Sequence, residues 1–303
     1  MILVVGGTSL IGRALQEEAS RAGLPCLGTS RRPDAPVHLD LTAPPASWRL
    51  PDGIEQAILC ASITGLARCE ADPAGTWAVN VTAVSALADR VAAEGGEVAF
   101  LSSTQVFPPD ASAPAEDSLP APATEYGRQK LAVERHLLPF GRKARIIRLT
   151  KVVAPATSLF AGWSESLAAG KAVHAFSDLY FSPLALRLAA AAILRIVVAS
   201  EGGVFHLGAA GSLSYLEAAR WMAERLGAST TLVHPAAAPR PNTPDSCRLS
   251  CGRARRLTGF RPAAPFANLA AAFAGETAPS ARPPVQDLFP CPPPATSAIR
   301  RRS

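Results

Sequence analysis

The stretch that decides the fold is Ile2-Leu3-Val4-Val5-Gly6-Gly7-Thr8-Ser9-Leu10-Ile11-Gly12, near the start of the chain. Its first four residues form an apolar β run typical of a buried parallel strand, and residues 13–22 have a helical pattern. Glycines between a strand and a helix let the backbone approach a pyrophosphate, which the helix N-terminus stabilises. The spacing is G-x-x-S-x-x-G, with Ser9 where a second glycine would be usual. An ordinary glycine-rich turn is the alternative, but the position directly after a strand favours a dinucleotide site.

Further apolar runs follow the loop and alternate with helical segments. We predict strands at Cys26–Thr29, Val37–Thr42, Ala57–Ser62 and Glu97–Leu101. Strands that alternate with helices predict an open parallel α/β sheet. Ligands of such sheets bind at the carboxyl ends of the strands.

The residues after the second strand indicate which dinucleotide binds. A free ribose 2′-hydroxyl usually meets an Asp or Glu at this point, whereas a 2′-phosphate calls for arginine and hydroxyl groups. The chain has Ser30-Arg31-Arg32 here and no carboxylate before Asp34. We therefore predict NADP(H) over NAD, although a solvated turn is the alternative. Asp40 is predicted to read the adenine amino group.

The segment Glu125 to Glu134 has a helical pattern and carries a candidate acid–base pair. Residues four apart lie on one side of a helix, so the Tyr126 phenol and the Lys130 ammonium can serve one pocket. A cation beside a phenol favours the phenolate, so we expect Lys130 to lower the pKa of Tyr126 from about 10. Two surface residues that meet by accident are the alternative.

Hydroxyl groups follow the fifth strand, at Ser102 and Ser103. A hydroxyl at this edge can donate a hydrogen bond to a substrate carbonyl. The small residues Cys60, Ala61 and Ser62 end the preceding strand and would let a ligand lie against the backbone. Asn80 is a polar residue in an apolar helix, and a structural hydrogen bond and a catalytic role remain equally open for it.

Composition excludes several classes of function. The chain has 303 residues and a formal charge of +6, but no basic run is interleaved with aromatic residues, which disfavours nucleic-acid binding. The apolar run of residues 184–199 contains two arginines and is too short to span a bilayer. The six cysteines form no metal-ligand clusters, so we predict no metal, and their scatter suits a reducing compartment. The N-terminus is not that of a signal peptide, which favours the cytoplasm.

Taken together, the loop at Gly6, the Ser-Ser-x-x-Val-Phe segment that begins at Ser102, and Tyr126-x-x-x-Lys130 resemble the extended short-chain dehydrogenase/reductases. The nearest resemblance is to their dTDP-4-dehydrorhamnose reductase-like, sugar-nucleotide-binding group. It implies a Rossmann-type doubly wound parallel sheet with a smaller C-terminal α/β substrate lobe. The implied domains are residues 1–150 with 184–208 for the cofactor, and 151–183 with 209–274 for the substrate. Residues 275–303 are rich in proline and are predicted to form a disordered tail.

The resemblance also implies residue roles. Ser103 would bind the substrate carbonyl, Tyr126 would donate the proton, and Lys130 would hold the nicotinamide ribose. The hydride would pass from NADPH to the C4 ketone of a nucleotide-activated sugar, and a homodimer is left open. The residues predicted to contact the cofactor are Gly6, Thr8, Ser9, Leu10, Ile11, Gly12, Ser30, Arg31, Arg32, Asp40, Leu41, Cys60, Ala61, Ser62, Ser102, Tyr126 and Lys130.

Departures from the family pattern leave alternatives open. Thr104-Gln105 stands where the dehydratases of the superfamily carry Asp-Glu, which disfavours a dehydratase. Lys151 stands where the rhamnose reductases tend to have an aromatic residue. Two other functions compete with a reductase: an NAD-dependent sugar-nucleotide epimerase, and a noncatalytic NADP-binding regulatory subunit such as that of methionine adenosyltransferase, which resembles the same group.

Overall fold

A parallel six-stranded sheet forms the centre of the computed structural model, which describes residues 1–274. The predicted tail, 275–303, lies outside the described residues. The strand order is β10-β5-β4-β3-β1-β2, and every neighbouring pair is parallel. The strands are β1 (Ile2–Val5), β2 (Cys26–Gly28), β3 (Gln56–Leu59), β4 (Glu97–Ser103), β5 (Ala144–Leu149) and β10 (Gly203–Leu207). This arrangement confirms the predicted Rossmann-type sheet.

Both faces of the sheet are covered by helices, which explains why most residues of its strands are apolar. Ile2 and Val4 pack into one core cluster and Leu3 and Val5 into another, because successive side chains of a strand point to opposite faces. The helices of the first face are α1 (Leu10–Arg21), α7 (Leu186–Val198) and α9 (Gly252–Thr258). Those of the second are α4 (Val84–Ala93) and α5 (Glu125–Leu137), and α4 continues a π-helical segment, Ala78–Ala83.

A third apolar cluster forms a smaller lobe from the later part of the chain. Its helices are α6 (Ser158–Ala168), α8 (Tyr215–Arg225) and α10 (Pro265–Phe273). The strands outside the main sheet pair as β6 (Lys151–Val153) with β9 (Pro183–Ala185), β7 (Val173–Phe176) with β12 (Val233–Ala236), and β8 (Tyr180–Phe181) with β11 (Leu213–Ser214). The short helices α2 (Leu66–Ala71) and α3 (Pro73–Trp77) follow β3.

The prediction of a third strand at Val37–Thr42 is wrong. This segment reaches the sheet edge through one isolated bridge, in which Ser30 donates to the Val37 carbonyl at 3.0 Å and Leu39 donates to the Ser30 carbonyl at 2.9 Å. β2 ends at Gly28, so little strand remains for the segment to pair with. Its apolar residues Val37, Leu39 and Leu41 are buried in the second core cluster without forming a strand.

No helix among residues 1–274 is long and apolar enough to cross a bilayer.

Candidate active site

The glycine loop lies between β1 and the N-terminus of α1. Ser9 is the N-cap of this helix, and its hydroxyl accepts a hydrogen bond from the Gly12 N–H at 3.0 Å. The position where glycine is usual therefore holds a residue that begins the helix. Gly12 must be glycine, since a Cβ there would lie 2.3 Å from the Gly6 carbonyl oxygen. The loop is compact, and the free N–H groups of the first helical turn are available to an anion.

Gln16 on α1 hydrogen-bonds the backbone of the glycine loop, a role that the sequence did not predict. Its side-chain amide donates to the carbonyls of Gly7 at 2.8 Å and Gly12 at 3.1 Å. A Cβ at Gly28 would lie 2.2 Å from the Gln16 side-chain oxygen. The glutamine thus fills the space between the loop and β2, and the G-x-x-S-x-x-G pattern does not indicate it.

A cavity of about 1730 Å³ opens over the loop and the carboxyl ends of the neighbouring strands. It is lined by most of the residues predicted to contact the cofactor: Gly6, Thr8, Ser9, Leu10, Ile11, Ser30, Arg31, Arg32, Asp40, Leu41, Cys60, Ala61 and Ser62. The predicted residues Gly12, Ser102, Tyr126 and Lys130 are not among its lining residues. Four arginines, at 13, 31, 32 and 68, give the wall positive charge.

Two carboxylates, those of Asp34 and Asp40, line the cavity together with Arg31 and Arg32. Arg32 forms an ion pair with Asp34 at 3.2 Å, and both side chains are exposed to solvent. Asp40 accepts hydrogen bonds from the Thr42 N–H at 2.9 Å and from its hydroxyl at 2.8 Å. These bonds lower the pKa of Asp40, so its carboxylate is charged at neutral pH.

Tyr126 lies in the first turn of α5, close to the end of β4. Thr124 caps the helix by accepting from the Gly127 N–H at 3.1 Å. Gly127 lets the helix approach the turn after Ser103, because a Cβ there would lie 2.0 Å from the Gln105 carbonyl oxygen. Ser103, the last residue of β4, is half-buried, and its hydroxyl accepts from the Gln105 N–H at 3.2 Å.

Lys130 is buried, and its ammonium lies 5.5 Å from the centre of the Tyr126 ring. It donates to the Leu101 carbonyl of β4 at 3.0 Å and lies 4.6 Å from the centre of the Phe100 ring. Burial lowers the pKa of Lys130 to about 8, and nearby Cys60 and Glu134 oppose this shift. The spacing of the pair therefore places both residues on one side of the helix, as predicted.

The predicted electrostatic effect of this pair is wrong, because the pKa of Tyr126 is raised. Burial is the main cause, and the nearby Cys69 thiol adds to it, whereas a hydrogen bond with the Ser62 hydroxyl opposes it. Lys130 does not contribute, since its ammonium is directed to the Leu101 carbonyl. Tyr126 is thus a protonated phenol at neutral pH, a state suited to donating a proton.

Ser102 does not face the cavity, contrary to its predicted place in the cofactor site. Its hydroxyl donates to Glu134 of α5, and this carboxylate forms a buried ion pair with Arg148 at 2.6 Å. Arg148 also contacts His206, whose pKa is lowered to about 3 by burial and by the arginine. The alternation along β4 explains the outcome, because consecutive residues Ser102 and Ser103 point to opposite faces.

Asn80 makes the structural hydrogen bonds that were one of its two predicted roles. Its side-chain oxygen accepts from the Ile63 N–H at 2.7 Å, and its amide donates to the Ile63 carbonyl at 2.9 Å. It also contacts Ser62 and Gln129, at 3.1 and 2.8 Å. The helix that carries Asn80 is thereby joined both to the loop after β3 and to α5.

Comparison with known proteins agrees with this geometry. Residues 1–276 match the family described as the RmlD substrate binding domain. The dTDP-4-dehydrorhamnose reductase of Mycolicibacterium smegmatis is 30% identical over 253 residues, which cover 80% of this chain and 76% of that protein. The methionine adenosyltransferase 2 subunit beta of Xenopus tropicalis is 30% identical over 151 residues, which cover 48% of this chain and 45% of that protein.

Solved structures are similar over nearly the whole chain. The dTDP-4-dehydrorhamnose reductase of Bacillus anthracis, in complex with NADP, has a TM-score of 0.76 at 19% identity, covering 91% of this chain and 98% of that one. At this identity the likeness establishes the fold alone. The family match spans all the described residues, and the three motifs lie on the elements that form the site. The chain therefore belongs to the RmlD substrate binding domain family, within the extended short-chain dehydrogenase/reductases.

Proposed function

We propose that the protein reduces the 4-keto group of a nucleotide-activated sugar, with a hydride from NADPH and a proton from Tyr126. Family membership makes the chain an NAD(P)-dependent sugar-nucleotide oxidoreductase. One observation carries the more specific proposal. Tyr126, a phenol kept protonated by burial, shares one side of α5 with Lys130, whose ammonium lies 5.5 Å from the centre of the Tyr126 ring.

The residues around the cavity suit NADPH, which supplies the hydride when bound. The loop from Gly6 to Gly12 and the first turn of α1 would hold its pyrophosphate. Arg31 and Arg32 would hold the 2′-phosphate, since guanidinium groups bind phosphate oxygens in a bidentate manner. Asp40, which lines the same region, would accept from the adenine amino group.

The reacting ketone would lie between Ser103 and Tyr126. Ser103 ends β4, and the close approach of Gly127 to Gln105 brings the first turn of α5 near this edge. The Ser103 hydroxyl would donate to the carbonyl oxygen, on which negative charge develops. Lys130 would contact the ribose of the cofactor, which requires its ammonium to leave the Leu101 carbonyl.

Lys151 bears on the identity of the sugar. It is exposed at the start of β6, and its ammonium lies 5.6 Å from the centre of the Tyr215 ring in the smaller lobe. Among residues 1–274, no carboxylate lies within 4.0 Å of it. A cation at this position differs from the aromatic residue of the rhamnose reductases, so we propose a 4-keto sugar other than that of dTDP-4-dehydrorhamnose.

The test is NADPH oxidation with a panel of nucleotide-linked 4-keto sugars. Tyr126→Phe should lower kcat about 10²- to 10⁴-fold, the usual contribution of a general acid. Its affinity for NADPH, measured by fluorescence titration, should not change. Tyr180→Phe is the matched control for the loss of a phenol: it lies in the smaller lobe, outside α5 and the cavity, so it should retain kcat, and any effect should fall on KM.

The outcomes separate the proposal from its alternatives. An epimerase would interconvert sugars without net consumption of NADPH, and a regulatory subunit would bind NADPH without turnover. Full activity in Tyr126→Phe would contradict the role of the phenol. The match to the methionine adenosyltransferase subunit spans half of the chain, compared with 80% for the reductase, and the longer match favours an enzyme.

The proposal extends to the organisation of the protein. Residues 1–150 and 184–208 would bind the cofactor, and residues 151–183 and 209–274 would bind the sugar nucleotide. The cytoplasm remains the proposed compartment, since every described cysteine is a free thiol. A homodimer is part of the same proposal.

A further inference from the structure

We propose that Trp48 is a positioning residue for Asp40, and that it makes the cofactor site selective for a dinucleotide with an adenine amino group. Its indole N–H holds the backbone of Asp40 where the carboxylate can accept from that amino group. This inference rests on the proposed function, in which Asp40 contacts the adenine. Trp48 itself does not line the cavity.

The first step of the argument is that the segment carrying Asp40 has little support from the sheet. Residues 37–42 form no strand, and they reach the sheet edge through the isolated bridge of Ser30 and His38. The Leu39 N–H, which donates to the Ser30 carbonyl at 2.9 Å, makes the last backbone hydrogen bond of this bridge. Asp40 follows directly after it, so the position of Asp40 depends on contacts outside the sheet.

The second step is that Trp48 supplies such a contact. Its indole N–H donates to the Asp40 carbonyl at 2.8 Å. The Trp48 side chain is 3% exposed and packs in the second core cluster, which fixes the direction of this donor. Arg90 of α4 in turn donates to the Trp48 carbonyl at 3.0 Å. The Asp40 backbone is therefore joined through Trp48 to a helix that covers the sheet.

The third step concerns the Asp40 carboxylate, which has one oxygen left for a ligand. Thr42 donates to Oδ1 through both its N–H, at 2.9 Å, and its hydroxyl, at 2.8 Å. Among residues 1–274, Oδ2 accepts no hydrogen bond. An ionised carboxylate only accepts, so the free Oδ2 suits an amino group and disfavours a carbonyl oxygen. Thr42 fixes the carboxylate relative to its own backbone, and Trp48 fixes that backbone relative to the core.

The test compares the binding of NADPH with that of its hypoxanthine analogue, in which a carbonyl oxygen replaces the adenine amino group. Isothermal titration calorimetry of the full chain measures both affinities without any turnover. The parent should bind NADPH about 10- to 100-fold more tightly, the usual effect of a hydrogen bond to a charged group. Trp48→Phe keeps an aromatic ring but lacks the N–H. Its affinity for NADPH should fall to within about 3-fold of its affinity for the analogue, since the carboxylate is no longer held in place.

Trp163→Phe is the matched control. Trp163 is a buried tryptophan of the smaller lobe that packs against Phe160 and does not line the cavity, so both affinities should equal those of the parent. A purely structural role for Trp48 predicts a different pattern. In that case Trp48→Phe would lower Tm or weaken the binding of both ligands by the same factor, and the preference for NADPH would match the parent. That result would overturn the inference.

A second variant keeps the inference testable if Trp48→Phe does not fold. The amino acid β-(3-benzothienyl)alanine at position 48 keeps the size and shape of the indole and replaces only its N–H group with sulfur. This variant should also lose the preference for NADPH over the analogue. A preference equal to that of the parent would count against the role of the N–H.

The binding measurements separate this inference from the proposed reduction. A parent protein that prefers NADPH but reduces no sugar on the panel would contradict the reduction. The role of Trp48 would still be supported if Trp48→Phe loses the preference. A parent that reduces a sugar but binds NADPH and the analogue equally would overturn the inference and leave the reduction intact, because Asp40 would then not contact the amino group.

Discussion

Lys130 is a charged residue buried in the proposed site, and burying its charge lowers the stability of the folded state. It is a 5% exposed cation whose hydrogen bond goes to a carbonyl, and burial lowers its pKa to about 8 from an ordinary value near 10.4. Below pH 8 both the folded and the unfolded chain carry the charge, and the folded state bears the cost of its burial. Between these two pKa values the unfolded chain binds more protons, so the stability contributed at this position rises with pH.

Lys130→Met removes this titration, so the unfolding free energy of the parent relative to that of the variant should rise as pH rises from 8 to 10. The slope is about 1.4 kcal/mol per pH unit at most. Urea unfolding of both proteins at several pH values measures it, and the subtraction cancels other titrations. A difference that does not vary across this range would mean that Lys130 titrates normally.

Residue spacing predicted where Tyr126 and Lys130 lie but not what the cation does. Residues four apart share a helix face, which the structure confirms by the 5.5 Å separation of the ammonium from the ring. The direction of the ammonium could not be predicted, because a lysine side chain is flexible and its partner, the Leu101 carbonyl, belongs to a strand.

At the scale of single elements, α5 contacts the turn after β4. This contact brings Tyr126, the proposed proton donor, to the carboxyl end of β4. Gly127 makes this contact, because its lack of a side chain lets α5 approach the Gln105 carbonyl. Alanine is a better helix former than glycine by up to about 1 kcal/mol. A Cβ 2.0 Å from a backbone oxygen would nevertheless force either the helix or the turn to move, at a cost of about 1–3 kcal/mol.

We therefore predict that Gly127→Ala destabilises the protein and lowers NADPH oxidation. Gly162→Ala is the matched control, since Gly162 lies exposed in α6 and a Cβ there would meet no atom within 4 Å. That variant should be more stable by about 0.5–1 kcal/mol and fully active. Denaturant unfolding and steady-state kinetics of both variants decide the matter. Equal stabilisation by the two substitutions would show that the α5 contact is loose.

Elements with strong local patterns were predicted well, and those defined by pairing were not. β1, β3 and β4 are continuous apolar runs, and α5 has a clear helical pattern, so each was placed close to its bounds. Val37–Thr42 has the same apolar pattern as a strand, but β2 ends at Gly28, before it could offer a continuous edge to pair with. A strand needs such a neighbour, and local sequence does not report its length.

At the scale of the whole molecule, the sequence motifs come together because the sheet is parallel. The loop after β1, the residue after β3 and the end of β4 lie at the carboxyl ends of parallel strands, and the first two line the cavity. The sequence could therefore predict that these segments lie at one edge of the sheet. It gave Ser102 and Ser103 different roles, but it did not predict that the Ser102 hydroxyl donates to Glu134, because that partner belongs to α5, far along the chain.

The last prediction concerns the stability of the whole protein when NADPH binds. A ligand that binds the folded state alone, at 100 times its Kd, stabilises that state by about 2.7 kcal/mol. The unfolding entropy of residues 1–274 is about 0.6 kcal/mol/K at the usual value per residue, so Tm should rise by about 5 °C. Differential scanning fluorimetry measures this shift.

If Arg31 and Arg32 hold the 2′-phosphate, the double variant Arg31→Ala/Arg32→Ala should lose most of its Tm shift with NADPH. It should keep its Tm shift with NADH, which lacks that phosphate. Arg21→Ala is the control, since Arg21 pairs with Glu17 and Glu18 on the surface of α1 and does not line the cavity. Equal losses with both cofactors would contradict the assignment, because they would place the arginines against a part of the dinucleotide that NADPH and NADH share.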